Sequence, residues 1–146
     1  MDEKKVISAI ERYDYMSLTS LLQNCNNINY QDENGYSFLI FTIDLFHKSN
    51  LYQRNKLRYV IDILIYNNIN INLVDNNGWN ALFHLLLNDN ECKSSKIYRI
   101  AVKLIQNGID LKHSVVDHDI VYYFEPKSKM IKYGVHILEL IQVYHC

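Results

Sequence analysis

The sequence predicts an all-α protein, a helical solenoid of about four helix-pair units joined by short hairpin turns. The block INYQDENGYSFLIF, which begins at Ile28, aligns without a gap with INLVDNNGWNALFH, which begins at Ile71. An amphipathic segment precedes each copy, and a third such segment precedes a degraded third copy, KHSVVDHDIVYYF. A repeat of this length is typical of solenoids, in which each unit buries its apolar face against the next unit.

Apolar residues at helical spacing mark the second helix of each unit. The predicted inner faces are Leu18, Leu21 and Leu22 in the first unit, Val60, Ile61, Leu64 and Ile65 in the second, and Ile100, Ala101, Leu104 and Ile105 in the third. Gly108 fits the left-handed residue that ends a helix, and Asn67 or Asn68 fits the same role one unit earlier. Ser37 and Asn80 are predicted N-caps of two shorter helices, SFLIFTIDLF and NALFHLLLND.

The remaining segments are predicted to be loops and a terminal cap. Polar insertions at 47–56 and 88–96 account for the long period and are expected to form surface loops. The stretch EPKSKMIKYGVHILELIQVYHC is predicted to end in an amphipathic helix with Val135, Leu138 and Ile141 on its inner side, together with Gln142. An array must cover its apolar end, so this helix is interpreted as a C-terminal cap.

Composition and charge are those of a folded intracellular protein. The 146 residues are 49% hydrophobic and 21% charged, with a net charge of -1, so no global field attracts nucleic acid or an anionic membrane. Cys25, Cys92 and Cys146 show neither CxxC nor finger spacing, which predicts no disulfide framework or zinc site. The N-terminus lacks the apolar region of a signal peptide, and no apolar run approaches the roughly 18–20 residues of a membrane span. We therefore expect a cytoplasmic protein.

The repeat resembles the ankyrin repeat. Asp32–Gly35 and Asp75–Gly78 match the D-x-x-G element of its hairpin, and Asn107–Lys112 (NGIDLK) resembles G-A-D-V-N. The T-P-L-H element is nowhere intact, and the period is 43 and then about 41 residues where roughly 33 is standard. The resemblance implies a single domain with an N-terminal capping repeat (1–27), two repeats (28–70 and 71–110) and a degenerate C-terminal capping repeat (111–146).

The resemblance also implies which residues bind a partner. In ankyrin arrays the hairpin tips and the exposed side of the first helices form the recognition surface. Carried over position by position, the partner-binding residues are Glu33, Asn34, Tyr36, Asn76, Asn77 and Trp79. Tyr36 and Trp79 occupy the same position after the glycine, and Tyr and Trp are enriched in binding hot spots. The other interpretation is that both rings pack against the neighbouring hairpin and stiffen the array.

Other chemistry has weaker support in the sequence. No GxGxxG, P-loop, HExxH or GxSxG motif occurs, so no catalytic residue is predicted. His113, Asp117, His118 and Asp119 could ligate a divalent ion, but no second ligand cluster accompanies them, and we expect no metal or cofactor. Tyrosines can stack RNA bases. Without a basic stripe, however, five of them are expected to pack in or near the apolar core: Tyr59, Tyr66, Tyr98, Tyr122 and Tyr123.

These observations predict a non-enzymatic protein-binding module, monomeric on its own, without nucleic-acid or membrane partners. Small size and the lack of an appended recruitment motif favour an immunity protein that neutralises a cognate toxin. The alternatives are a viral ankyrin protein that engages a host factor and, in a different class, a small metal-dependent enzyme. Asn, Ile, Tyr and Lys dominate the composition. AT-rich genomes tend to encode that bias, and we expect it to carry no chemistry of its own.

Overall fold

The computed structural model describes residues 2–87, 95–111, 114–117, 120–130 and 136–144. The chain divides into two compact units, Met1–Asn90 and Glu91–Cys146. The described ranges contain six helices and three strands: α1 (Asp2–Glu11), α2 (Tyr15–Gln23), α3 (Phe38–His47), α4 (Leu51–Tyr66), α5 (Ala81–Leu87), α6 (Ser95–Gln106), β1 (Ser114–Asp117), β2 (Ile120–Met130) and β3 (His136–Tyr144). In these ranges no helix has both the length and the apolar character needed to cross a membrane.

The first unit is a stack of helix pairs. Helix α1 packs on α2 and α3 packs on α4, while α1, α3 and α5 follow one another in one row and α2 contacts α4 in a second row. Large side chains with almost no exposed surface form the core of this unit: Phe38, Phe46, Phe83, Ile10, Leu18, Leu39, Ile40, Ile43, Leu57, Ile61, Leu64 and Leu82. The all-helical prediction is confirmed for this unit. The ankyrin type of solenoid stays a prediction.

Both helices that follow a hairpin begin at the predicted caps. The hydroxyl oxygen of Ser37 accepts a hydrogen bond from the backbone nitrogen of Ile40 at 3.1 Å. The side-chain oxygen of Asn80 accepts one from the backbone nitrogen of Phe83 at 3.0 Å. Each cap satisfies one of the backbone donors that the first turn of a helix leaves without an intrahelical partner. The two caps therefore fix where α3 and α5 begin.

The insertion at 47–56 is mostly helix, so the prediction of a surface loop there is wrong. Asn50 and Gln53 form a capping box, in which each side chain accepts from the backbone nitrogen of the other residue, at 2.9 and 3.0 Å. This box starts α4 at Leu51 and leaves only a short connection after α3. The extra residues of the repeat therefore lengthen α4. Of the other insertion, residues 88–94 lie outside the described ranges.

The second helix of each repeat ends in the same way. Asn24, Asn67 and Asn107 each donate a side-chain hydrogen bond to the carbonyl oxygen four residues earlier, at 2.9, 2.8 and 2.8 Å. The residue after two of them is left-handed, with φ of 64° at Asn68 and 89° at Gly108. Asparagine and glycine are the residues that tolerate this conformation best. The predicted helix ends are confirmed, and the repeat extends into α6.

The second unit combines α6 with a three-stranded antiparallel sheet in the order β1-β2-β3. The all-α prediction is therefore wrong for the three strands, and β3 lies where an amphipathic helix was predicted. A short apolar run in a sequence fits a helix or a strand equally well. In this segment the chain forms a strand, because it pairs with β2. β-branched and aromatic residues, which favour strands, face each other in register: Val121 pairs with Val143, and Tyr123 pairs with Ile141.

Candidate functional site

The first hairpin is held together by the side chain of its leading aspartate. The Oδ1 atom of Asp32 accepts hydrogen bonds from the backbone nitrogens of Asn34 and Tyr36, both at 2.9 Å. The backbone nitrogen of Gly35 donates to the Asp32 carbonyl at 2.9 Å, and Gly35 has a φ of 80°, which only glycine adopts without strain. The donors of the tight turn are thus satisfied from within the chain.

The second hairpin repeats this geometry. The Oδ1 atom of Asp75 accepts from the backbone nitrogens of Asn77 and Trp79, again both at 2.9 Å. Gly78 has a φ of 81°, and its backbone nitrogen donates to the Asp75 carbonyl at 2.9 Å. The recurrence of Asp, Gly and their spacing in the sequence therefore has a direct structural cause, since both residues are required by one turn.

The two hairpins are hydrogen-bonded to each other. The backbone nitrogen of Asn76 donates to the Asn34 carbonyl at 3.1 Å, and its side-chain nitrogen donates to the Glu33 carbonyl at 2.7 Å. On the opposite side, the side-chain nitrogen of Gln31 donates to the Val74 carbonyl at 2.7 Å. These bonds join residues about one repeat apart, so the hairpins form one continuous edge. Asn76, a predicted partner-binding residue, helps to build this edge.

A buried histidine lies behind the hairpins. The Nε2 atom of His84 is 2.7 Å from Oδ2 of Asp75, and both side chains are 4% exposed. The Tyr36 ring approaches the imidazole edge-on with ring centroids 5.2 Å apart, and the Trp79 ring approaches it at 5.4 Å. The two aromatics of successive hairpins therefore pack on the same imidazole. Nδ1 of His84 is buried without a hydrogen-bond partner.

The predicted binding residues fall into two groups by exposure. Glu33, Asn34, Asn76 and Asn77 are exposed, whereas Tyr36 and Trp79 are half-buried against His84. Packing of the two rings on His84 is thus part of the structure. The part of each ring that is not buried remains accessible to a partner.

His84 was not among the residues singled out by sequence. It is a lone titratable residue in an apolar helix, at the position where the first repeat has Phe41. An alignment of the two repeats shows this change from Phe to His, and it shows Asp75 nine residues before His84. A histidine that replaces an apolar residue in the core needs a polar partner, and Asp75 is that partner in the structure. The pairing itself depends on how the hairpin folds back on α5, which sequence periodicity does not describe.

The environment of Tyr36 holds its phenol in the neutral form. Burial raises the pKa of Tyr36 above its ordinary value, and the carboxylates of Asp44 and Asp75 raise it further. Asp44 forms an ion pair with Lys48 at 2.9 Å, and this hydrogen bond raises the pKa of Lys48. The first repeat therefore presents a neutral phenol next to a paired lysine and aspartate. This combination offers a partner hydrogen-bond donors, acceptors and an aromatic surface.

The described residues contain no group of three or more His, Cys, Asp or Glu side chains that could hold a metal ion. The ligands considered from the sequence, His113, His118 and Asp119, lie outside the described residues. Asp117 ends β1, but its side chain is outside the described part as well. The chemistry that the described site offers is hydrogen bonding and aromatic contact.

The fold resembles a chain of one solved complex. That structure is "Bd0816 Predatory Endopeptidase from Bdellovibrio bacteriovorus in complex with immunity protein Bd3460". The TM-score is 0.55 with 25% sequence identity, and the match covers 78% of this chain and 51% of that chain. The match thus spans about half the length of the chain in that complex. No protein-family model matches the sequence, and no curated protein matches it significantly.

Proposed function

We propose that the chain is a non-enzymatic, ankyrin-type protein-binding module whose partner docks on the two hairpins. The observation that carries this proposal is the hydrogen-bonded pair of hairpins. Asp32 and Asp75 satisfy the turns from within, so the side chains of Glu33, Asn34 and Asn77 point from an ordered backbone. A preorganised edge of this kind binds with little further loss of conformational entropy.

The two half-buried aromatics fit the same proposal. Tyr36 and Trp79 are each held on one side by His84 and are partly exposed on the other. A ring that is already fixed loses little freedom on binding and still desolvates a large area. Packing within the unit and recognition of a partner are therefore compatible roles. We propose that the packing prepares both rings to act as binding hot spots.

We further propose that the partner is a toxin and that this chain is a cytoplasmic immunity protein. The support is the structural likeness to a chain of a complex that joins a predatory endopeptidase to an immunity protein. In the proposed mechanism the hairpin edge covers the active site of the toxin or the surface by which the toxin binds its target. No observed feature favours the viral alternative.

The test uses a toxin-like protein as the probe, and an open reading frame immediately upstream of the gene for this chain is the first candidate to be expressed. Isothermal titration calorimetry measures its affinity for the wild-type chain, and an activity assay measures its inhibition. Glu33→Lys with Asn77→Ala alters exposed tip side chains, while Gln23→Ala alters an exposed residue of α2 and serves as control. We expect the tip variant to lose affinity and inhibition and the control to retain both. Inhibition that is equal for all three chains would refute docking on the hairpins.

A second measurement separates this proposal from a metal-dependent enzyme. Elemental analysis of the purified chain reports any bound transition metal per chain. The proposed module binds its partner without metal, so affinity should be unchanged after treatment with a chelator. Stoichiometric metal together with loss of binding on chelation would overturn the proposal of a scaffold without cofactors.

A further inference from the structure

Three tyrosines lie exposed along α4 at intervals of seven residues. Tyr52, Tyr59 and Tyr66 are 69%, 57% and 83% exposed, so the expectation that Tyr59 and Tyr66 pack in or near the core is wrong. Seven residues correspond to nearly two full helical turns, with a drift of only about 20°. The three rings therefore form one stripe on the surface of α4, which we call the tyrosine stripe.

Helix α4 carries four charged residues, Arg54, Lys56, Arg58 and Asp62, and two of these lie at equal distances from the centre of the stripe with opposite charge. Lys56 lies three residues before Tyr59, and Asp62 lies three residues after it. The outer rings, Tyr52 and Tyr66, lie seven residues to either side. The two tyrosines are thus equally far from Tyr59, and Lys56 and Asp62 are equally far from Tyr59 and carry opposite charges. Such an arrangement is complementary to its own copy when that copy runs in the opposite direction.

We propose that α4 forms the interface of a homodimer in which two copies pack antiparallel about a two-fold axis at Tyr59. Tyr52 of each copy then lies against Tyr66 of the second copy, and Lys56 lies against Asp62 of the second copy. Each contact occurs twice, as a two-fold interface requires. A parallel arrangement would place Lys56 against Lys56 and Asp62 against Asp62, which like-charge repulsion disfavours.

Local contacts already hold parts of the stripe in place. The Tyr15 ring of α2 stacks on Tyr59 with centroids 5.2 Å apart, and the Lys56 ammonium lies 4.7 Å from the centre of the Tyr52 ring. Both rings therefore lose less freedom on association than an unsupported side chain would. Asp62 also takes part in an interaction within its own chain. A carboxylate accepts from several donors, so this interaction is compatible with a bond to the lysine of a second copy.

The proposed dimer goes beyond the proposed function and does not depend on it. No residue of the tyrosine stripe belongs to the hairpin segments 32–36 and 75–79, and the ring contacts described above join the stripe to α2 and to α4 itself. Two copies could therefore associate while both hairpin edges remain accessible to a partner. The proposed dimer differs from the monomer expected from the sequence, and the oligomeric state in solution decides between the two.

Sedimentation velocity over a range of concentrations tests the proposal with complementary charge variants. We expect the wild-type chain to approach twice its mass of 17.3 kDa as concentration rises. Lys56→Glu alone and Asp62→Lys alone should each weaken the dimer at least about tenfold, because like charges then meet at both contacts. An equimolar mixture of the two variants should dimerise again, since each contact between the two different chains joins opposite charges.

Two controls accompany this test, one for the folding of each variant and one for the position of the interface. Circular dichroism and an unchanged Tm establish that each variant is folded. The double substitution Lys56→Glu with Asp62→Lys should dimerise like the wild-type chain, because it exchanges the two charges and keeps their symmetry. A wild-type chain that stays monomeric at every concentration would overturn the proposal. Dimerisation that is the same in the wild type and in both single variants would equally overturn it, by placing the interface elsewhere.

Discussion

Asp75 connects the second hairpin to α5 through His84, whose Nε2 atom lies 2.7 Å from the Asp75 carboxylate in a site that is 4% exposed. One carboxylate oxygen holds the turn and the other holds the helix. The first repeat has Phe41 in place of His84 and cannot form this connection. The two hairpins are therefore alike in their turns but differ in how they are anchored.

This anchoring predicts a large effect of His84→Phe, which copies the residue of the first repeat. The free energy of unfolding should fall by about 3 kcal/mol, because removing His84 leaves the buried Oδ2 atom of Asp75 without this hydrogen-bond partner. Urea denaturation monitored by circular dichroism measures the loss. Adding Asp75→Asn, which removes the buried charge, should cost less in the His84→Phe background than in the wild type. Strictly additive losses would contradict a coupled pair.

The two hairpin glycines provide a matched pair for a second prediction. Both have a φ near +80°, so alanine at either position is strained by about 1 kcal/mol. A Cβ atom at Gly78 would meet nothing within 4 Å, whereas one at Gly35 would lie 2.6 Å from the backbone nitrogen and the side-chain oxygen of Asn76. Gly35→Ala must therefore also separate the two hairpins, and we expect it to cost about 2 kcal/mol more than Gly78→Ala. Equal losses in urea denaturation would show that the contact between hairpins contributes little.

The environment of Tyr36 predicts how stability changes at alkaline pH. Burial and nearby carboxylates raise the pKa of this phenol above its ordinary value of 10.0, so the folded chain keeps the proton that the unfolded chain loses. The free energy of unfolding should therefore decrease as pH rises above this value, until the folded-state pKa is reached. Tyr36→Phe should make this decrease less steep and leave the slope near neutral pH unchanged. Urea denaturation at several alkaline pH values measures the slope, and identical slopes in both chains would contradict the shift.

Local signals in the sequence correctly predicted much of the first unit and the end of α6 in the second unit. Caps at Ser37 and Asn80 and left-handed residues at Asn68 and Gly108 are confirmed, because each depends on a few adjacent residues. The start of α4 was also encoded locally, by Asn50 and the glutamine three residues later, but its polar first turns resemble a loop in a hydropathy pattern. The strands of the second unit could not be predicted in this way, since a strand is defined by partners distant in sequence.

The abundance of asparagine has a structural role that the composition alone does not reveal. Its abundance was attributed to genome bias, yet Asn24, Asn67 and Asn107 end three helices and Asn76 joins two hairpins. Side-chain amides suit these positions because they bond to nearby backbone groups. Among the candidate binding residues, Glu33, Asn34, Asn76 and Asn77 are exposed, and their role in binding stays a prediction. The contacts of Tyr36 and Trp79 with His84 could not be predicted in this way, because they join a hairpin to a helix in three dimensions.

The proposed role of Trp79 leads to a prediction that separates recognition from packing. Trp79→Ala should weaken partner binding by about 2 kcal/mol or more if the ring is a hot spot. Because the ring also packs on His84, the same change should lower the free energy of unfolding. His84→Phe serves as the comparison, since it disturbs the packing beneath the ring and leaves Trp79 itself in place.

Calorimetric titration with the toxin-like partner, under conditions in which every variant is folded, distinguishes the two roles of Trp79. If the ring contacts the partner, Trp79→Ala should lose far more affinity than His84→Phe, even though both changes destabilise the fold. If the ring only stiffens the hairpins, the loss of affinity should follow the loss of stability in both variants. Unchanged affinity in folded Trp79→Ala would assign this position to packing alone and leave the exposed tip side chains as the binding residues.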